Sequence, residues 1–459
     1  MTRHALQGAL CLLLATRLWA QDDPLAGYPA VAVADVIAAV RQAGPAVKTA
    51  DLVLDAAQAA LIQARAKQGL TVGESAGYAW QQASSATTTT ATGNSWKGGV
   101  SVSGPQTSVA VTGQQSPTIS GTASTVGVSA SQVVWDGYLG GAPSAQVKIA
   151  EAGYAIAKET RDQAVLSAAY DAQQAYYTLL ADQKTLLVRQ ATLKQAAENL
   201  SHEQGLFAAK RATDLDVLQM KVTQRQAELD LRSALVQIET DRKNLSILAG
   251  WPLDKTYVVT DGTAPVPLAS TVDEAVRIAL ASRAEMRTLA AQLEAARIQD
   301  ALQAVWWSPV VSVSGGVGTS QTGSGTPVQT ASVGVDVALP PVWDGGAGVA
   351  AHRQSSNLVT QYQVQQEQQR LAITVEIQKD WFAIQDARDR LDLAQSNVEQ
   401  ATGEYKMESL KLSVGLETTL DVLTAFTAMT TAQVQLEQAK STAILAVLTF
   451  NNALGREEP

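Results

Sequence analysis

A duplicated segment constrains the fold of this 459-residue chain more than any other feature of its sequence. A shift of 205 positions aligns residues 418–423 with residues 213–218, and Gly455 with Gly250. Both copies read Thr, any residue, Leu-Asp-Val-Leu. A repeat of this length indicates one structural unit used twice, so each half of the chain can be interpreted through the other.

Long stretches without helix-breaking residues flank the repeated motif. Residues 145–209 contain no proline, which predicts a helix on the order of 100 Å, and residues 213–249 predict a second helix of about 55 Å. Gly250 is placed to end that helix, and Pro252 prevents its continuation. Apolar residues also predict a helix over 35–67, which Pro45 kinks or divides.

Four segments alternate apolar with small polar residues and therefore predict strands: 70–80, 125–134, 309–317 and 331–339. Between the first two, residues 83–124 are rich in Thr, Ser and Gly and are interpreted as an exposed loop, with short strands considered at 100–102 and 109–111.

The two strands that precede the repeated Trp-Asp-Gly motifs place their valines on opposite faces of the strand. When the motifs are aligned, Val126 and Val128 fall on the opposite face from Val333 and Val335. Either one strand contains a β-bulge or the register differs from the simple alignment.

The elements predict two structural repeats, at residues 21–250 and 271–459, joined by a linker at 251–270. Each repeat contains a helix, a hairpin, a very long helix and a medium helix. Four strands cannot close a barrel, which needs about eight or more. If the strands span a membrane, the chain must therefore oligomerise.

Tryptophans lie in or beside the strand segments. A membrane-spanning sheet would use them as an aromatic belt at the lipid boundary, whereas a soluble protein would bury them in its core. The belt interpretation assigns four residues to the boundary: Trp80, Trp135, Trp307 and Trp343.

Residues 1–20 resemble a cleavable export signal, with Arg3 and His4 ahead of an apolar run. The only cysteine, Cys11, lies within it. The formal net charge of −9 becomes −11 once Arg3 and Arg17 are removed, which argues against nucleic acid as a partner. Histidine and cysteine are too sparse for a metal site, no nucleotide-binding glycine loop is present, and no cofactor is expected.

The order of these motifs resembles the TolC-like outer membrane efflux proteins over nearly the whole mature chain. The resemblance rests on the repeated helix start, the Leu-Ala-Gly and Ala-Leu-Gly helix ends, the repeated Trp-Asp-Gly, and the segment 273–286. It implies a mixed α and β fold and a homotrimer. In that trimer, four strands per chain form a twelve-stranded outer membrane β-barrel, and coiled-coil helices form a periplasmic α-barrel.

The resemblance also implies a function. Such a channel-tunnel passively ducts substrates outward and sits in outer membrane lipid. Its partners are a periplasmic adaptor, also called a membrane fusion protein, and an inner membrane transporter of the RND or ABC type. The sequence leaves drugs, metals and polypeptides open as cargo.

Within this family pattern, Asp421 falls on a gate residue, and Asp216 is its counterpart in the first repeat. Acidic rings at the tunnel tip would constrict it and favour cations. A simpler interpretation is that each aspartate completes a capping box with the threonine three residues earlier.

The turns between long and medium helices are the family's adaptor docking tips. These are Gly415 and Leu416 in the second repeat, and Lys210 and Arg211 in the first. A tight interhelical turn that favours glycine is the alternative explanation.

Two other classes of protein share some of these sequence features. A trimeric coiled-coil surface adhesin, or another structural envelope protein, predicts one continuous stalk. An esterase would use Ser75 within residues 73–77, which fit a Gly-x-Ser-x-Gly nucleophile elbow, but a Thr-rich segment rather than a helix follows. The chain is therefore expected not to be an enzyme.

Overall fold

The computed structural model describes residues 27–84, 90–118, 121–138, 141–260, 265–341, 344–414 and 416–455. The export signal expected at 1–20, together with Trp343 and Gly415, lies outside these ranges. No helix within the described residues is both long and apolar enough to cross a membrane.

The first repeat contains two short helices, four long strands and two long helices. In chain order these elements are β1 (Ala30–Val31), α1 (Val33–Ala43), α2 (Pro45–Ala66), β2 (Thr71–Ser84), β3 (Thr90–Ser103), β4 (Thr107–Thr118), β5 (Gly121–Trp135), α3 (Ala142–Ala208) and α4 (Asp214–Ala249).

The second repeat has the same order with a shorter sheet segment. The linker carries β6 (Val258–Val259), and the elements of the second repeat are α5 (Val272–Ser282), α6 (Ala284–Ala304), β7 (Val310–Thr322), β8 (Val328–Ala338), α7 (Ala347–Ser413) and α8 (Thr419–Ala453). The two longest helices, α3 and α7, each have 67 residues.

Helix boundaries follow the local signals in the sequence. Pro45 begins a new helix, which confirms that it divides the segment 35–67. Gly250 ends α4 with a φ of +67°, a left-handed conformation that favours glycine. One break was not predicted: Arg283 separates α5 from α6 although neither glycine nor proline is present there.

Each long helix folds back on the medium helix that follows it. Arg189 on α3 donates to Asp230 on α4 at 3.0 Å, and Tyr405 on α7 packs against Phe426 on α8 at 5.6 Å between ring centres. Further along the same helices, Asp182 on α3 contacts Asp241 on α4, and Trp381 on α7 packs against Phe450 on α8. Residues that come later on the first helix thus contact residues that come earlier on the second, so both pairs are antiparallel helical hairpins.

Six strands form one antiparallel sheet in the order β2-β3-β4-β5-β7-β8. The mixed α and β class is confirmed, and the four expected strands are β2, β5, β7 and β8. The sheet contains two further strands at 90–103 and 107–118, so the expectation of an exposed loop at 83–124 was wrong, whereas the short strands expected at 100–102 and 109–111 lie within them. Residues 90–103 and 107–118 are strands, paired with each other and with β2 and β5. Their Thr, Ser and Gly content resembled low complexity, and it conceals a period-two alternation with valine.

The parity conflict is resolved by a β-bulge in β5. Val133 pairs with Ser312 and Trp135 pairs with Val311, so Val134 is the extra residue. An inserted residue reverses the parity of the strand beyond it. The predicted bulge is thereby confirmed and located.

The chain divides into two compact units, each with residues from both repeats. A sheet unit comprises residues 50–162 and 283–372, and a helical unit comprises residues 1–49, 163–282 and 373–459. In the sheet unit, helices are joined by partly exposed ion pairs such as Arg161 with Asp51 at 2.9 Å and Arg287 with Glu159 at 2.6 Å.

The helical unit has a core centred on Tyr176 of α3, which is fully buried. Its hydroxyl lies 3.1 Å from the carbonyl oxygen of Val31 and 2.8 Å from that of Thr260. These carbonyls flank the parallel pair β1 and β6. The aromatic side chain therefore ties the N-terminal segment and the segment between the repeats to the long helix.

A carboxyl pair lies within the hairpin of α3 and α4. Burial raises the pKa of Asp182 from 3.8 to about 7, helped by a hydrogen bond to Asp241 and by its negative charge. One buried oxygen of Asp182 has no hydrogen-bond partner among the described residues. The folded protein therefore holds a proton here that the unfolded chain releases at lower pH.

Stability is expected to fall as pH rises from 3.8 towards about 7, because the folded state binds a proton that the unfolded state has lost. Asp182→Asn mimics the protonated acid. It is expected to raise the free energy of unfolding by about 1–2 kcal/mol at pH 8, a value reduced for solvent screening, and to change it little at pH 3.5. Urea unfolding at both pH values tests this, and an equal effect at both would contradict it.

Candidate functional site

Pairing places nearly all large apolar strand residues on one side of the sheet. Paired residues share a face and successive residues alternate, so the register defines an apolar face. Its apolar members are Val72, Ala76, Tyr78, Trp80, Trp96, Val100, Val102, Val109, Val111, Val126, Val128, Ala130, Trp135, Val311, Val313, Val317, Ala331, Val333, Val335 and Val337. Among the described residues, Glu74 is the one charged residue on this face.

The opposite side, the polar face, carries small hydroxyl residues. Its members include Ser75, Lys97, Ser101, Ser103, Ser108, Thr112, Thr125, Ser129, Ser131, Ser312, Ser314, Thr330, Ser332 and Asp336. Asp336 accepts a hydrogen bond from the Ser314 hydroxyl at 2.8 Å. The apolar face is exposed, with Val333 at 88% and Val335 at 65%, so a contiguous set of valine side chains lies on the surface of the chain.

Aromatic residues mark both ends of the apolar face. Trp135 lies in the row of Val311, and Trp96 lies in the row that reaches Gln321 through β4 and β5. The two rows are ten residues apart along β7, about 33 Å along the strand. At the usual barrel tilt this corresponds to about 25 Å, the height of the apolar band of outer membrane barrels.

Three of the four tryptophans assigned to the belt fall at these ends. Trp80 lies near Trp96 at one end of the sheet, and its side chain is 63% exposed. Trp135 and Trp307 lie at the other end, where the Trp135 indole donates to the Ser308 hydroxyl at 3.2 Å. Trp343 lies outside the described residues.

The first helix tip has the turn that the repeat predicts. The amide of Arg211 donates to the Leu206 carbonyl at 2.8 Å, and the amide of Lys210 donates to that of Phe207 at 2.9 Å. Lys210 has a φ of +57°, which places a residue with a Cβ in the left-handed region.

The second tip repeats this hydrogen bond, since the Leu416 amide donates to the Lys411 carbonyl at 2.9 Å. The equivalence of Arg211 with Leu416, and hence of Lys210 with Gly415, follows from it. Lys411 also forms ion pairs with Glu408 at 2.8 Å and Glu417 at 3.2 Å, which raise its pKa.

Asp216 and Asp421 both complete capping boxes. Asp421 accepts from the Thr418 amide at 3.1 Å and from its hydroxyl, while the Asp421 amide donates to that hydroxyl at 3.4 Å. Asp216 has the same three bonds with Thr213. These hydrogen bonds, chiefly from the threonine hydroxyls, lower the pKa of both aspartates, so both are charged at neutral pH. The capping interpretation is confirmed.

A third acid at the tips was not identified from the sequence. Glu203 on α3 is 2% exposed and accepts a hydrogen bond from the Thr419 hydroxyl at 3.3 Å. Burial, reinforced by the charge of Asp216, raises its pKa. The bond brings the end of α3 to the start of α8, so the tips of the two repeats meet. The sequence around Glu203 is that of an ordinary polar helix, so its burial could be recognised only from the packing of the helices.

The geometry excludes the nucleophile elbow. Ser75 lies within β2 and pairs with Gly99, so no strand-to-helix turn exposes it. No group of three or more His, Cys, Asp or Glu side chains suited to a metal ion occurs in the part of the chain that the structure describes.

The positive φ of Lys210 generates a prediction. Lys210→Gly removes the left-handed strain and is expected to raise the free energy of unfolding by about 1 kcal/mol. Lys210→Ala is the matched control, because it removes the same charge but keeps a Cβ, and it is expected to give no gain. Denaturant unfolding measures both; equal gains would assign the effect to charge.

A family model described as "Outer membrane efflux protein" matches residues 36–250 and 275–456. The outer membrane efflux protein BepC of Brucella suis biovar 1 is 24% identical over 340 residues, which are 73% of each protein. The outer membrane protein VceC of Vibrio cholerae has a similar structure, with a TM-score of 0.73 at 20% identity over 92% of this chain and 96% of VceC.

The CmeC outer membrane channel of Campylobacter jejuni is similar as well, with a TM-score of 0.72 at 16% identity over 92% of this chain and 85% of CmeC. The structural likeness concerns the fold, while the family model covers most of both repeats, the paired helix tips and all six strands of the sheet. This chain belongs to the outer membrane efflux protein family.

Proposed function

We propose that the chain is the outer membrane channel of a tripartite efflux system or a type I secretion system. It would passively duct substrates from a periplasmic adaptor and an inner membrane transporter of the RND or ABC type to the exterior. The observation that carries this proposal is the two-faced sheet. An exposed valine face about 25 Å high, with tryptophan at both ends, fits the lipid core and its boundaries. The hydroxyl-rich opposite face fits a water-filled lumen.

In this proposal Trp80, Trp135, Trp307 and Trp343 form the aromatic belt. A tryptophan ring has an apolar body and one N–H donor, which suits the headgroup region. The donor of Trp135 is already used within the protein, at Ser308. The alternative of a soluble core is disfavoured because Trp80 and Trp307 are each 63% exposed.

Two rows of exposed apolar residues on the helices support association of copies, which we propose to be a homotrimer. Leu215, Val222, Leu229 and Val236 lie seven residues apart on α4, and each is more than half exposed. Val375 and Phe382 lie seven residues apart on α7 and are equally exposed. Such spacing is typical of a coiled-coil seam. Because the seams lie on different helices, α4 of one copy would pack against α7 of the next, which closes a ring.

We assign the helix tips to gating and docking. Asp421 and Asp216 would form charged rings at the tunnel constriction, since both are ionised and belong to rigidly capped helix ends. The adaptor would contact Gly415 and Leu416 at one tip and Lys210 and Arg211 at the other. The two tips differ in charge, so they would present two unlike surfaces to the adaptor.

The adhesin alternative is less well supported. It predicts one continuous stalk, whereas α3 and α7 each fold back on a medium helix. It also gives no reason for a duplicated sheet segment with one exposed apolar face.

Cation selectivity tests the gate. In planar bilayers, Asp421→Asn is expected to lower the cation-to-anion permeability ratio by about threefold, because a ring of charges is lost from the constriction. Thr418→Ala is the matched control, since it removes the cap but keeps the acid. If both variants change selectivity equally, Asp421 acts only as a helix cap. If wild type forms no pore, the channel itself is refuted.

Charge placed in the seam tests the trimer. Phe382→Glu and Leu229→Glu are each expected to weaken association about tenfold or more, because an unpaired charge enters an apolar interface. Leu253→Glu, at a site 55% exposed beyond the end of α4, is the control. Mass photometry of purified protein reads the oligomer directly, and unchanged trimers would contradict the seam.

A further inference from the structure

We propose that the hairpin of β3 and β4 is part of the membrane barrel wall, so that three copies close a barrel of eighteen strands through pairing of β8 with β2 of the next copy. This inference rests on the homotrimeric channel proposed above. It differs from the twelve-stranded barrel that the family resemblance implies, because that barrel takes four strands from each chain.

The hairpin spans the full height of the sheet. β3 and β4 have 14 and 12 residues, against 13 and 11 for β7 and β8. Thr71 pairs with Ser103, so the turn at 104–106 lies beside the start of β2. The Gln106 carbonyl there accepts from the Val133 amide, next to the bulge of β5. A hairpin that only extended from the far end of the barrel would not return to this edge.

The hairpin also carries the same two faces as the remaining strands. Val100 pairs with Val111, and Val111 pairs with Val128, so the valine rows cross β3 and β4 without interruption. On the other side, Ser101 pairs with Ala110 and then Ser129. Val100 is 50% exposed and Val111 45%. A hairpin surrounded by water has no need of an exposed valine face continuous with the lipid-facing one.

The sheet has two open edges that fit each other. No strand among the described residues pairs with the outer edge of β2 or of β8. Each strand runs antiparallel to its neighbour, so strand direction alternates across the sheet. Because the sheet has an even number of strands, its two edge strands, β2 and β8, run in opposite directions. β8 of one copy can therefore join β2 of the next in the antiparallel sense. Long exposed edges of this kind require a partner, and closure removes them.

The count of strands sets the width. With strands about 4.8 Å apart and tilted about 40°, eighteen strands give a backbone diameter of about 36 Å, whereas twelve give about 24 Å. The added hairpin lines the interior with Ser101, Ser103, Ser108 and Thr112. Its one charged residue on that face is Lys97.

Paired cysteine substitutions test the position of the hairpin. In a Cys11→Ser background, Val100→Cys and Ser101→Cys probe the two faces of β3, and Val313→Cys and Ser314→Cys probe β7 as the reference. The variants are reconstituted in phosphatidylcholine vesicles. A water-soluble maleimide is expected to modify the two serine positions at least tenfold faster. Bimane at the two valine positions is expected to be quenched by spin-labelled lipid.

The outcomes separate the two proposals. If β7 alternates but Val100→Cys and Ser101→Cys react alike, the hairpin stands in water and the eighteen-stranded wall is refuted while the channel stands. If β7 does not alternate either, the membrane channel is refuted.

Removing the hairpin tests the width. Residues 82–120 are replaced by Asn-Gly, a two-residue hairpin turn that joins β2 directly to β5. Gln81 then pairs with Gly121, and each residue of β2 and β5 stays on the face of the sheet that it occupies in the wild type. Electron microscopy of wild-type trimers in nanodiscs is expected to show a wall-to-wall distance of about 36 Å, and the variant about 24 Å. A wild-type barrel of about 24 Å refutes the proposal even if the variant fails to fold.

Discussion

One constraint governs the sheet: a strand residue points to the face opposite its neighbours, so a single insertion reverses a whole strand. The six strands come from two repeats whose Trp-Asp-Gly motifs fix parity differently. Val134 absorbs the difference as a bulge, after which valines from all six strands share one face. Because of that extra residue, Trp135 lies on the same face as Val128, although in a regular strand two positions seven residues apart would face opposite sides. The bulge therefore lets the tryptophan at the end of β5 join the apolar face.

In the proposed channel, one aspartate at each helix tip both caps its helix and carries charge at the constriction. Asp216 and Asp421 satisfy the free amides at the start of a helix, and the same hydrogen bonds keep both carboxylates ionised. A cap holds its acid at a defined place and charge, which is what a ring of charges at a constriction requires. Structural and functional interpretations of these residues are therefore compatible. Glu203 completes the arrangement from a buried position, where it joins the two repeats through Thr419.

Duplication preserved geometry more closely than sequence. Gly44 and Arg283 interrupt corresponding helices of the two repeats. Gly44 has φ −56° and ψ 132°, and Arg283 has φ −65° and ψ 131°. Only the break at Gly44 has the glycine and proline that indicate a helix break in the sequence. Lys210 adopts a left-handed backbone conformation at a position where the second repeat has a glycine in its sequence. At both Arg283 and Lys210 the first and second repeats therefore use different residue types at equivalent positions.

The sequence by itself determined the repeat, the long helices and their ends, the four outer strand segments, and the need for a bulge or altered register, because these follow from periodicity, capping residues and proline. It indicated only short strands at 100–102 and 109–111 and not the full length of β3 and β4, whose alternation is diluted by Thr, Ser and Gly. Nor did it reveal the break at Arg283, the buried position of Glu203 or the proton held by Asp182. Those features depend on which residues distant in sequence become neighbours, and only the tertiary structure decides burial, pairing and the charges that meet.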